Sequence, residues 1–118
     1  MDHIQVKDLA RYLILRTQAE GECITPAKLQ KLLYYIQAWH LVYQQGHPLF
    51  KNQPEAWVNG PVYSEVFSQY RNYQMYDCLS IDTKDGEDTQ AQMQTTLGEL
   101  KLTADQMSVL ESVIQTYA

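Results

Sequence analysis

Residues 25–45 read as a helix with too little polar surface to stand alone, and the rest of the fold follows from covering it. Thr25-Pro26 is a start signal: a hydroxyl placed to accept from a backbone N–H of the first turn, then proline at the first helical position, where its missing N–H costs nothing. Gly46 ends the segment. Leu29, Leu32, Leu33, Ile36, Trp39, His40 and Tyr43 form a broad apolar stripe, widened by Tyr35 and Val42. The polar strip shrinks to Gln30, Tyr34, Gln37 and Gln44, interrupted by Leu41. A helix apolar over most of its circumference is the central member of a bundle, covered by several neighbours. Trp39 and Tyr43 are therefore assigned to the core, and His40 is read as a hydrogen-bonded core residue and not as a catalytic one.

The neighbours are legible at helical spacing. Residues Ile4 to about Ala19 put Val6, Leu9, Ala10, Leu13 and Ile14 on one face, and Gly21 ends the run. Asn59-Gly60-Pro61 reads as a turn into another helix, with Pro61 first and Val62, Val66, Phe67 and Tyr70 as its buried stripe. The last helix opens on Thr103-Ala104-Asp105-Gln106, a capping box in which the Thr hydroxyl and the Gln side chain each satisfy the other residue's backbone N–H. Met107, Leu110, Val113, Ile114 and Tyr117 then recur as its apolar face. Ser80 to Thr96 is rich in Asp, Thr and Gln and reads as a solvated excursion, with Cys78–Ile81 and Leu100–Leu102 as short strands that would form a hairpin beside it. The expectation is a mainly α fold: a compact bundle of about four helices around a central apolar helix, with a short β-hairpin near the acidic loop. At 118 residues, 1–118 makes one domain.

Charge and cysteine usage narrow the function classes. The nine Lys and Arg against 14 Asp and Glu give a net charge of −5, all of it arising after Leu79. That balance argues against a nucleic-acid-coating role, which draws its affinity from cations on phosphates. Cys23 and Cys78 sit in no CxxC motif and no Cys/His cluster, the usage of a reduced cytosolic protein, and Cys23 reads as an ordinary small buried residue. The longest apolar runs, such as Leu32–Ile36, fall far short of the ~20 residues that cross a bilayer, and Met1-Asp2-His3 does not open a signal peptide. A soluble, cytoplasmic protein without a membrane partner is expected.

No GxSxG, Walker loop, HExxH or GxGxxG occurs, so no enzyme, cofactor or metal is expected. Aligning Gly86 with the glycine of an EF-hand loop puts Ile81 and Gln92 at ligand positions that need carboxylates, and the calcium reading fails. The compositional excess is nine tyrosines and two tryptophans, residue types enriched in interface hot spots. Tyr34 on the polar strip, and Trp57, Asn59 and Tyr63 around the turn, are the partner-binding candidates, with Tyr34 and Tyr63 expected to project to solvent.

The run Ile24-Thr25-Pro26-Ala27-Lys28-Leu29-Gln30-Lys31-Leu32-Leu33-Tyr34-Tyr35, then Gln37-Ala38-Trp39, Gly46-His47-Pro48-Leu49-Phe50 and Glu55-Ala56-Trp57-Val58-Asn59-Gly60-Pro61-Val62, resembles the Panacea domain, the SocA-like, phage-associated GepA-type antitoxin family. The resemblance implies a small helical antitoxin of a prokaryotic toxin–antitoxin system that binds and neutralises a protein toxin encoded by a neighbouring gene. Family members usually continue into a further segment beyond the helix at Thr103–Tyr117, which a chain ending at Ala118 is expected to lack. The alternative is an adaptor that delivers a client to a protease or another machine. A homo-oligomer is compatible with either.

Overall fold

The computed structural model describes residues 3–82 and 88–117. Five helices and one hairpin follow in chain order: α1 (Val6–Ala19), α2 (Pro26–Tyr43), β1 (Glu55–Trp57), β2 (Gly60–Val62), α3 (Ser64–Gln69), α4 (Thr89–Leu100) and α5 (Ala104–Tyr117). The fold is mainly helical, as the sequence implies. Part of the acidic loop read as a solvated segment, residues 83–87, lies outside the described residues.

Three of the helices start and stop for the reasons the sequence supplies. The Thr25 hydroxyl accepts from the Lys28 backbone N–H at 3.1 Å, with Pro26 as first helical residue. Gly21 closes α1 at φ +73°, a conformation that favours glycine. The capping box of α5 is formed in both directions: Gln106 N–H donates to Thr103 Oγ1 at 3.1 Å, and Thr103 N–H donates to Gln106 Oε1 at 2.9 Å.

The core forms where α1 and α2 meet. Val6, Leu9 and Leu13 of α1 and Leu29, Leu33 and Ile36 of α2 are fully or almost fully buried, joined by Leu110 and Val113 of α5. Between α2 and the hairpin, Leu49 and Phe50 turn inward, and Phe50 meets Tyr63 edge-on with ring centroids 5.3 Å apart. Arg16 of α1 grips Glu111 of α5 through both guanidinium NH groups, one of them 2.8 Å from Oε2. That grip holds the Glu111 carboxyl below the usual carboxylate range.

Five expectations are corrected. Residues 89–100 form a helix, α4, which makes the most extensive helix contact with α1, through partly buried Met93 and Leu97 and buried Thr96 and Leu100. Its start is capped by Asp88, whose carboxylate accepts from the N–H groups of Gln90 and Ala91. Pro61 opens no helix: it lies on β2, opposite Ala56, and α3 begins at Ser64. The hairpin is thus at residues 55–62, whereas Leu79 makes only a bridge with Ile24, and Leu100 ends a helix. Trp39 and Tyr43 are 37% and 61% exposed, because α2 outruns its cover; their rings stack on each other, and Trp39 Nε1 donates to the Tyr117 hydroxyl of α5. Finally, Cys23 and Cys78 are both exposed and joined as a disulfide, their Cα atoms 5.4 Å apart, so neither is an isolated buried thiol.

Candidate functional site: an aromatic groove beside the second helix

Two members of the polar strip of α2, Gln30 and Gln37, are half-buried and turned to loop backbone, while Tyr34 stays exposed. Gln30 accepts from the Tyr63 backbone N–H at 2.8 Å and donates to the Tyr63 carbonyl at 3.3 Å. Gln37, two turns on, does the same for the preceding loop, accepting from Leu49 N–H at 2.8 Å and donating to the Phe50 carbonyl at 2.6 Å. Each amide substitutes for a β-strand partner, pairing with one N–H and one C=O of extended backbone; the Tyr63 N–H depends on it, whereas the Tyr63 C=O also accepts from Val66 and Phe67 at the start of α3. Gln18 of α1 clamps Ile81 in the same way. The two α2 clamps fix where the hairpin stands relative to that helix.

A groove of about 480 Å³ runs between α2, β2, α3 and the segment from Tyr70 to Leu79. Seven aromatic rings stand in its walls: Tyr34 and Tyr35 from α2, Trp57 from β1, Phe67 from α3, then Tyr70, Tyr73 and Tyr76. Trp57 and Phe67 meet edge-on at 4.8 Å, bracing each other while each stays partly exposed. Burial pushes the Tyr70 hydroxyl pKa up, keeping that ring a neutral surface. Among the described residues lining the groove, Lys31 is the one charged side chain. It stands one turn into α2, whose first turn carries no acidic residue, so that end of the groove is electropositive.

Of the sequence-derived candidates, Tyr34 (42% exposed), Trp57 (41%) and Asn59 meet at this groove. Asn59 Nδ2 points at Met75 Sδ across 3.9 Å, tying the turn to the far wall. Tyr63 is elsewhere: it is 1% exposed, packed on Phe50, with burial pushing its hydroxyl up to about 12. The expectation that it projects to solvent fails because Tyr63 does not sit on a helix: it is the extended cap residue before α3, held through its backbone by Gln30 with its ring on Phe50. The far wall, 70–79, was not anticipated; its signal is the density of Tyr and Met in a stretch without helical spacing.

His40 is a core residue, as the sequence suggests. Its Nδ1 lies 2.7 Å from the His47 carbonyl and must donate to it; Nε2 lies 3.3 Å from the Gln106 amide nitrogen and must accept. The Gln106 orientation is fixed in turn by the capping box, whose Oε1 is taken by Thr103 N–H. Burial pulls the His40 pKa below its ordinary value, consistent with a neutral ring. Among the described residues no three potential metal ligands come together, and no helix is long and apolar enough to cross a membrane.

Among the described residues the groove thus combines seven rings with one charged side chain. Residues 29–118 match the family described as antitoxin SocA-like, Panacea domain, and the chain belongs to that family. Neither the curated proteins nor the solved structures yield a match.

Proposed function

We propose that the protein is the antitoxin of a toxin–antitoxin pair and neutralises its protein toxin by direct binding in the cytoplasm, without catalysis. The observation that carries this reading is the aromatic groove on a chain whose family is antitoxin-like. Tyr34, Trp57 and Asn59 are the proposed contact residues, and Tyr63 supports them from beneath by holding the hairpin. The occupant is an apolar segment of the toxin that places a carboxylate at the Lys31 end, since among the described residues no acidic side chain lines the groove and Lys31 with the start of α2 makes that end positive. Aromatic walls suit such a segment because Tyr and Trp lose few rotamers when they are covered.

Co-expression of the neighbouring gene product with this chain tests the reading. Growth should be restored, a one-step pull-down should recover both proteins, and toxin levels should stay constant. Growth arrest with both proteins soluble overturns it. Rescue accompanied by disappearance of the toxin favours the adaptor role instead.

A further inference from the structure

The far wall of the groove is held differently from the rest of the frame. The hairpin and the Leu49–Phe50 loop are clamped by α2 glutamines in mid-helix, whereas residues 73–79 carry no helix or strand and are tied to the segment entering α2. The ties are the Cys23–Cys78 disulfide, Leu79 N–H donating to the Ile24 carbonyl at 2.9 Å, and Ala27 N–H donating to the Met75 carbonyl at 3.1 Å. In the wall itself, Leu79 is buried and Tyr73 is partly buried against the core, while Met75 and Tyr76 between them are exposed, so side-chain burial anchors its ends and leaves its middle to the backbone ties and the disulfide. The covalent link therefore fixes a surface that weak interactions hold thinly.

We infer that Cys23–Cys78 is a reversible redox site, a latch whose oxidised form keeps the groove wall in binding shape and whose reduction by a dithiol releases it. Both cysteines are exposed, and a crevice of about 80 Å³ adjoins Cys23, so an attacking thiolate has access. The reductant's thiolate attacks one sulfur, the protein S–S bond breaks as a mixed disulfide forms, and the reductant's second thiolate displaces the protein. Two electrons and two protons end on Cys23 and Cys78 as thiols, and the reductant leaves as its disulfide. A preformed groove binds more tightly than one that must first be ordered, so the oxidised form is the tighter binder. This control of binding rests on the antitoxin reading; the release of the wall does not.

The full chain is compared oxidised, reduced with dithiothreitol, reoxidised with oxidised glutathione, and as the Cys23→Ser/Cys78→Ser variant. Hydrogen exchange of the Ala27 and Leu79 amides reads the wall, with the capped Gln106 amide as control, and affinity for the neighbouring gene product reads the groove. Reduction should speed exchange at Ala27 and Leu79 at least tenfold, leave Gln106 unchanged, weaken toxin binding at least tenfold, and be reversed by reoxidation. Should the double variant fail to fold, the reduced and reoxidised wild type carries the comparison. Unchanged exchange at both amides overturns the latch, and faster exchange with unchanged affinity overturns its control of binding. Faster exchange with no toxin bound in either state upholds the latch and sinks the antitoxin reading instead.

Discussion

Two sides of α2 each carry residues that depart from the usual placement beside its buried leucines. Toward the bundle and the hairpin, polar side chains are drawn inward: His40 is fully buried, and Gln30 and Gln37 are committed to loop backbone. Toward the groove, large apolar side chains stay partly in water, with Tyr34 and its neighbours Trp57 and Phe67 all exposed. The difference teaches that the amides are the structural members here and the rings are what the frame presents. If so, removing a buried polar group should cost more stability than removing an exposed ring.

The largest effect is expected at His40. His40→Ala opens a cavity and leaves the His47 carbonyl without its donor, a combined cost of about 3 kcal/mol, read by urea unfolding. The same residue predicts a pH dependence. Because the folded-state pKa is depressed, the unfolded chain takes up the proton first as pH falls, so stability is complete above about 6.5 and declines below it. The Ala variant should lose that part of the slope while keeping the decline below the carboxylate range that Glu111 contributes through Arg16. A cost below 1 kcal/mol would mean that the burial of His40 contributes little and that the two sides of α2 do not differ.

Next is the clamp. Gln30→Ala strands the N–H of Tyr63, whose C=O keeps the N–H groups of Val66 and Phe67, and should cost about 2 kcal/mol, whereas Gln30→Glu keeps the acceptor for that N–H and should cost about half as much or less. Thermal unfolding of the two variants separates them. Equal costs would show that the acceptor offered to the Tyr63 N–H contributes nothing. A smaller effect, about 1 kcal/mol, is expected for Thr103→Ala, which removes one arm of the capping box.

These clamps mark where sequence reasoning reached and where it stopped. Start signals with a local mechanism were legible: Thr25-Pro26, the Thr103–Gln106 box and Gly21 act within one turn, and the structure forms all three. Burial of His40 was legible from its place on the stripe. What depends on a distant partner was not. Gln30 and Gln37 look like a solvent strip because their backbone partners lie 33 and 12 to 13 residues away. Pro61 fits a helix start and an edge strand equally well; the tie is broken by Asn59-Gly60, a hairpin signal, and by Gly60 at φ +118°. The helix α4 was hidden by its composition, yet Asp88 as cap with Met93, Thr96, Leu97 and Leu100 at helical spacing was the available clue. Trp39 and Tyr43 lie on the predicted stripe and yet are exposed, since periodicity says which face is apolar and not how far the covering helix extends.

The smallest stability change should come from the groove, and it is the sharpest form of the comparison. Tyr34→Ser and Trp57→Ser remove rings that are more than two-fifths exposed and whose hydrogen bonds, where present, are on the surface. Each should shift unfolding by no more than about 0.5 kcal/mol. By contrast Tyr63→Ser, on the same hairpin and of the same type as Tyr34→Ser, removes a 1% exposed ring from Phe50 and should cost about 3 kcal/mol or more. If the groove receives the toxin, the ranking reverses for binding: Tyr34→Ser and Trp57→Ser together should weaken it by roughly a thousandfold, about 2 kcal/mol for each anchor if the terms add. Calorimetric titration of the folded double variant with the neighbouring gene product gives the affinity, and the melting curve of the same sample gives the stability. Unimpaired affinity would remove the groove from the interface while leaving the structural contrast intact. Loss of the folded state would instead show that the exposed rings brace the frame, and the division of labour between amides and aromatics would be wrong.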